Sequence, residues 1–306
     1  MRSRSAGRPL LVTGLPRSGT TWLARLLAAG PGTALPGREP MNPRGRQFAL
    51  AGSLPGWSRL DQQLTNAQRR TLRRAYRGWE PRIYGRLGAD QWRAPLPGTR
   101  VVIKDPFALL SAPTICALTG AQLVLVYRHP GALLASYRRM GWRPDIDEIS
   151  ELKLDGEAPP VSKDSLLRDD VAAMAWFWRV CHQVVLADLS RCPEAVVVDH
   201  AELSRSGEPA VRRLYEACGL TWSSRVSARL RASGGPAAAD SATGGNPLHR
   251  LQRQPEAVAD SWRSEVSQPD IERLEADTGA VLKELADARL VLSQDVERDC
   301  AMPEGR

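Results

Sequence analysis

The sequence predicts an α/β fold of three layers, a central parallel sheet with helices on both faces. Three observations carry that prediction. Residues 10–12, 100–103, 122–127 and 195–198 are short apolar runs that read as buried strands. Stretches with helical spacing of apolar residues alternate with them, as strand–helix crossovers require. A glycine-rich turn, Gly14-Leu15-Pro16-Arg17-Ser18-Gly19, joins the first run to the first helix.

Residues 10–27 read LLVTGLPRSGTTWLARLL, a strand, that turn, and an amphipathic helix carrying Leu23, Leu26 and Leu27. A turn of this kind points several backbone N–H groups at one spot, where the positive end of the helix dipole also points. It is a phosphate cradle. The spacing from Gly14 to Gly19 fits the first part of the P-loop pattern G-x-x-x-x-G-K-[ST], but Thr20 and Thr21 follow where that pattern has Lys. That Lys reaches the β- and γ-phosphates, so its absence argues against a nucleoside triphosphate. The positive charge lies in the loop instead, at Arg17. The physical reading is a phosphate loop for a nucleotide with a shorter 5′ chain. The plain alternative is an ordinary strand–turn–helix with a basic surface loop.

Pro31-Gly32 ends the first helix. A short strand ending near Leu35 would place Glu39 on a loop beside the phosphate site. On local sequence alone, a Glu before Pro at a strand end reads equally well as a plain loop residue. Residues 41–98 are less regular. Arg69, Arg70, Arg73, Arg74 and Arg77 fall on one helix, as a solvated basic face or, alternatively, a surface for an acidic acceptor. Trp57, Tyr76, Trp79, Tyr84 and Trp92 serve packing or acceptor recognition.

The second strand ends in Lys104-Asp105-Pro106-Phe107. Ligands of open α/β sheets bind beyond the carboxyl ends of strands, so Lys104 sits where chemistry is expected. Asp105 can also be read as a metal-holding carboxylate. The third strand ends in Arg128-His129-Pro130, and Pro130 suits the first turn of a helix carrying Leu133, Leu134, Ser136 and Tyr137. Arg128 and Ser136 can address one anion. His129 reads as a loop residue without a role. Beyond it come a loop at 154–162, one long helix at 163–189, the fourth strand, an acidic turn with Asp199 and Glu202, and a helix at 208–218 closed by Gly219. Residues 232–247 read as a mobile Gly/Ala/Pro-rich loop, followed by Arg250 and Arg253. Ser267 and Asp270 cap a last helix at 268–286.

The chain has 306 residues, with 42% hydrophobic and 25% charged, an ordinary globular composition. No apolar run approaches the roughly 18 residues of a membrane span. The basic N-terminus leads straight into the phosphate loop, so a cytoplasmic protein is expected. Five scattered cysteines, an odd number without C-x-x-C, make neither a disulfide framework nor a zinc site. The net charge of +8 favours anionic ligands. Only four of the 42 basic residues are Lys, so the position of Lys104 is more informative than that of any one Arg.

PRSGTTWL resembles the 5′-phosphosulfate loop of the sulfotransferases that use 3′-phosphoadenosine 5′-phosphosulfate, PAPS. YRHPGALLASY resembles their 3′-phosphate element, and KDPF resembles a motif of the tyrosylprotein branch. The resemblance spans residues 9–285, with strong motifs at 12–22 and 103–136. It implies one sulfotransferase domain over 1–306, with a nucleotide-binding core at 9–140, an acceptor-side segment at 41–98 and a cofactor-covering segment at 232–253. It implies that Arg17, Ser18, Gly19, Thr20 and Thr21 hold the 5′-phosphate, and that Arg128 and Ser136 hold the 3′-phosphate. Arg250, or Arg253, would fold over the nucleotide. Trp22 stacks on adenine or belongs to the core. Glu39 is implied as general base, and Lys104 with Arg17 as stabilisers of the leaving phosphate. No metal is required, because fixed cations replace it. The acceptor would be a hydroxyl of a small molecule, glycolipid or carbohydrate, not a nucleic acid. Two other readings compete. A P-loop kinase would use Asp105 with Mg²⁺ and ATP, but the loop lacks its Lys. A non-catalytic polyanion binder leaves the loop and the Arg128–Ser136 spacing unexplained.

Overall fold

The computed structural model describes residues 7–44, 50, 53–54, 56–60, 64–85, 89–152, 154, 162–234 and 260–292. Among these residues, five strands form one parallel sheet: β1 (Leu10–Thr13), β2 (Thr33–Ala34), β3 (Arg100–Lys104), β4 (Gln122–Tyr127) and β5 (Val196–Asp199). Their order is β2-β3-β1-β4-β5. From β1 the chain runs to the edge strand β2, returns inward to β3 beside β1, and then crosses to add β4 and β5 on the other side. The strand order reverses at β1, so the crevice at its carboxyl end is where a ligand is expected. The glycine-rich turn occupies that end.

Alternation along each strand sorts the apolar side chains into two cores, because successive side chains point to opposite faces. Leu11, Val101, Ile103, Leu123, Leu125, Tyr127 and Val197 line one face. Against it lie α2 (Asn66–Tyr76), α3 (Ala112–Thr119), α4 (Pro130–Met140), α7 (Asp170–Asp188) and α11 (Gln268–Ala288). Leu10, Val12, Val102, Val124, Val126, Val196 and Val198 line the other. Against that face lie α1 (Thr20–Leu27), α9 (Gly207–Ala217) and α10 (Ser224–Gly234). Leu23 and Leu27 of α1 are fully buried. Each such leucine contributes about 1.5–3 kcal/mol relative to an exposed position. This is the three-layer α/β fold the alternating pattern predicts.

The structure corrects two local expectations and adds one element. The helix expected over 163–189 is two helices, α6 (Lys163–Arg168) and α7, divided at Asp169. The Asp169 carboxylate accepts hydrogen bonds from the Val171 and Ala172 N–H groups at 3.0 and 3.1 Å, which starts a new helix there. The acidic turn after β5 is a short helix, α8 (His200–Arg205), capped by Asp199 in the same way. A further short helix, α5 (Ile146–Glu151), follows α4. Residues 235–259, with most of the 232–253 segment and both Arg250 and Arg253, lie outside the described residues.

One contact holds a strand end that carries the site, and one ion-pair cluster ties together the helices behind it. Trp178 of α7, fully buried, donates its indole N–H to the Arg128 carbonyl at 2.9 Å and fixes the exit of β4. Arg138 of α4 makes a two-pronged pair with Asp170 of α7 at 2.8 and 3.0 Å and also reaches Asp270 of α11.

Candidate active site

At the end of β1 the chain passes tightly against β4. A side chain on Gly14, at φ 152°, would place its Cβ 2.0 Å from the Val126 carbonyl oxygen. The turn closes through a hydrogen bond from the Ser18 N–H to the Leu15 carbonyl at 3.0 Å. Arg17 takes a left-handed conformation, φ 75°, which costs a non-glycine residue about 1–2 kcal/mol. Gly19, at φ 97°, precedes α1, and no side chain caps that helix. The first-turn N–H groups of a helix have no partner within it, so they face the crevice beyond β1. Thr20 is buried and Thr21 half-buried at the helix start. The Ser18 hydroxyl is buried with no hydrogen-bond partner among the described residues.

Three arginines gather beside this turn. The Arg17 Nε donates to the Ser136 hydroxyl at 3.0 Å, across 119 residues of sequence. The Arg128 guanidinium donates to the Arg17 carbonyl at 3.4 Å. Burial lowers the Arg17 pKa, and nearby Arg139 lowers it further. Burial lowers Arg128 to about 10, with Arg139 and Arg17 adding to the shift. Partly desolvated cations that repel one another are a site shaped for an anion. The unpartnered Ser18 hydroxyl and the uncapped helix start point the same way. A phosphate group therefore fits the residues present.

His200 stands against the same turn. A Cβ on Gly19 would lie 2.1 Å from its Cδ2 atom, so only glycine lets the imidazole approach. The ring meets the edge of Trp22 with centroids 5.5 Å apart. Burial, then the Arg128 charge, pushes its pKa down to about 3, so the ring is neutral near pH 7. Its Nδ1 atom is buried without a hydrogen-bond partner among the described residues. Trp22 is half-buried against the α1 core, and its Nε1 is likewise unpartnered there. Sequence reading missed His200. The signal was a histidine immediately after a buried strand that ends at the ligand edge of the sheet.

One strand away, Lys104 ends β3 with its ammonium donating to Glu39 Oε1. The Asn42 side-chain amide donates to the other carboxylate oxygen. Burial lowers the Lys104 pKa to about 8, while the neighbouring Asp105 charge pulls it up and Arg25 pulls it down. The Glu39 contact favours the charged ammonium near neutral pH. The residues before Glu39 are held by a bridge between Gly37 and Tyr84 and by a hydrogen bond from the Arg38 N–H to the Ile83 carbonyl at 2.9 Å.

Asp105 points the other way. It is fully buried, and its carboxylate accepts from the Met41 N–H at 2.5 Å and the Phe107 N–H at 3.1 Å. Burial raises its pKa to about 7, against the pull of those N–H groups and Lys104. Both oxygens are engaged by backbone, so the carboxylate is not aimed at the crevice as a metal-holding group would be. His129 also differs from the sequence expectation. It caps α4, with Nδ1 accepting from the Gly131 N–H at 3.1 Å, and stacks on Trp262 with centroids 4.6 Å apart.

The structure thus brings Arg17, Arg128 and Ser136 together, and Glu39 and Lys104 together, at one edge of the sheet. The arginines of α2 and of its C-terminal cap stay outside this group. Arg70, Arg73 and Arg77 are exposed, while Arg74 donates to the Trp79 carbonyl at 2.9 Å. Trp57 and Tyr76 are core residues, whereas Trp79 and Trp92 are exposed.

A family model described as the sulfotransferase family matches residues 9–224. The chain belongs to the sulfotransferase family, and transfer of a sulfonyl group is its general chemistry. Among solved structures it is similar to the sulfotransferase domain of the Synechococcus PCC 7002 olefin synthase, at 18% identity over 89% of this chain and 95% of that one, TM-score 0.47. It is similar to the sulfotransferase domain of the curacin biosynthetic pathway at 18% identity, over 89% and 98%, TM-score 0.47. It is also similar to sulfotransferase STF9 from Mycobacterium avium, at 16% identity over 91% and 76%, TM-score 0.42. No curated protein matches the sequence.

Proposed function

We propose that this sulfotransferase moves the sulfonate of PAPS to a hydroxyl of a small-molecule, glycolipid or carbohydrate acceptor. The observation that carries the reading is the contact of Lys104 with Glu39, one strand from the uncapped phosphate turn. It sets a carboxylate and an ammonium side by side at the ligand edge of the sheet. The donor supplies an activated sulfonate carried on its 5′-phosphate. The N–H groups at the start of α1 and the Arg17 guanidinium bind that phosphate and hold charge that develops on it. Arg128 and Ser136 bind the 3′-phosphate, and Trp22, which packs against His200 beside the turn, stacks on the adenine. Glu39 accepts the proton of the attacking hydroxyl at its carboxylate, and Lys104 holds positive charge at the departing oxygen. Residues 41–98 are proposed to meet the acceptor.

The test compares thermal unfolding with 3′-phosphoadenosine 5′-phosphate against ATP plus Mg²⁺. A ligand at about 100 times its Kd stabilises by about 2.7 kcal/mol. A shift with the bisphosphate alone supports the reading. A shift only with ATP and Mg²⁺ overturns it in favour of a kinase. Response to neither favours a polyanion-binding protein.

A further inference from the structure

We propose that Asp105 is the positioning residue that holds the Glu39 turn at the reaction site, through the Met41 N–H, and is not a ligand for metal or substrate. The inference rests on the reading of Glu39 as the base given above, and it adds a residue which that reading leaves without a role.

Asp105 joins three separate parts of the chain. Its own N–H donates to the Val12 carbonyl at 3.0 Å, and its carbonyl accepts from the Thr13 hydroxyl at 2.8 Å. Both contacts tie it to the last residues of β1, where the phosphate turn begins. Its backbone continues from Lys104. Its carboxylate reaches across 64 residues of sequence to the Met41 N–H. The turn it grips is short and stiff. Pro40 fixes one backbone torsion and has no N–H of its own, so Met41 offers the first amide after Glu39. The Asn42 N–H closes back on the Glu39 carbonyl at 3.3 Å, and the Leu50 N–H donates to the Pro40 carbonyl at 2.8 Å. Beside the Lys104–Glu39 contact itself, the Asp105 carboxylate is a second link from this turn to the end of β3, and the one made to the turn's backbone. It therefore sets the separation between the proposed base and the proposed charge stabiliser.

A buried carboxylate is a costly way to make such a link. A neutral side chain would desolvate more cheaply, but only a carboxyl here accepts from Met41 and Phe107 together. The group has no exposure through which to meet a ligand. Its function must therefore act through the segments it joins.

The experiment uses the full-length protein and the variants Asp105→Asn, Glu39→Gln and the pair combined. Hydrogen exchange is followed on the peptide spanning residues 38–44, with turnover and bisphosphate affinity measured alongside. Asp105→Asn is expected to raise exchange at residues 38–44 and leave β1 and β4 protected. It should lower kcat by about tenfold to a hundredfold, the size expected for a misplaced reacting group. Bisphosphate affinity should stay within about twofold. In the Glu39→Gln background the same change should cost less than about twofold more, because the two act as one unit. Full additivity in the pair, or unchanged exchange at 38–44, overturns the proposal. If Asp105→Asn does not fold, an amide-to-ester replacement at position 41 deletes the donor while keeping every side chain. It should loosen the same peptide, and an unchanged peptide again overturns the proposal. If the wild-type protein moves no sulfonate, the proposed function fails, and the exchange comparison still decides whether Asp105 holds the turn.

Discussion

At the scale of single residues, Lys104 and Gly19 show how burial sets chemistry. Lys104 is charged when active in the proposed role. Burial brings the loss of that charge from the ordinary 10.5 down to about 8. Turnover should therefore fall as pH rises through about 8, while Lys104→Arg, whose charge persists, should move that limb upward. A pH–rate profile flat to about pH 10 would remove Lys104 from the charge-stabilising role. Gly19 is required for space as well as torsion. Gly19→Ala would drive its Cβ into the His200 ring, 2.1 Å away at Cδ2. It should destabilise the fold by about 1–3 kcal/mol and weaken bisphosphate binding. Urea unfolding measures the first effect, and an unshifted midpoint would mean that the imidazole moves aside freely. Much of this residue-level detail was legible. Lys104 and Arg128 stand at strand ends, which follow from apolar runs, and Arg17 stands in the glycine-rich turn after β1. His200 was legible only as a histidine following a buried strand, because nothing in its local sequence says that α8 folds against the phosphate turn.

At the scale of elements, the break between α6 and α7 is the informative departure. Apolar spacing runs through 163–189 without interruption, so periodicity alone reads one helix. Asp169 decides otherwise, by accepting from the N–H groups of Val171 and Ala172 and pairing with Arg273 of α11. Asp169→Ala should cost about 0.5–2 kcal/mol, the range for a lost cap. Asp169→Asn should recover most of that, since it keeps the capping oxygen and loses only an exposed ion pair. Chemical denaturation of the two variants separates cap from charge. If both lose equally, the ion pair with α11 carries the effect. The strands, the helix at 207–217 and the last helix were read nearly to the residue, because caps such as Ser267 and stops such as Gly219 are local chemistry, whereas α3, α5, α8 and α10 were not read from the sequence.

At the scale of the whole molecule, acid stability follows from buried histidines. Burial lowers His182 to about 4, His129 to about 4 and His200 to about 3. A depressed histidine is neutral in the folded state while the unfolded chain takes a proton near 6.5. Its contribution is complete above about pH 6.5 and is lost as pH falls toward 3–4. Asp105, raised to about 7, acts with the opposite sign over pH 4–7, but it is one group against three. Stability should therefore drop between pH 7 and pH 5, by about 1–2 kcal/mol for each of His182 and His200. Urea midpoints at the two pH values measure it, and His182→Gln should flatten the difference. A midpoint that rises on acidification would show that Asp105 dominates. By itself the sequence determined the layered α/β class, the strand–turn–helix at residues 10–27 and the strand ends that carry cations. These follow from apolar period, glycine placement and capping, which act over a few residues. Only the tertiary structure decided which strand ends become neighbours. The order β2-β3-β1-β4-β5 places Lys104 against Glu39 across 65 residues, and Asp105 against the Met41 N–H across 64. Parallel strands of similar apolar character can exchange places without changing their local patterns. The pairing of their ends is set by how the crossover helices pack on the two cores.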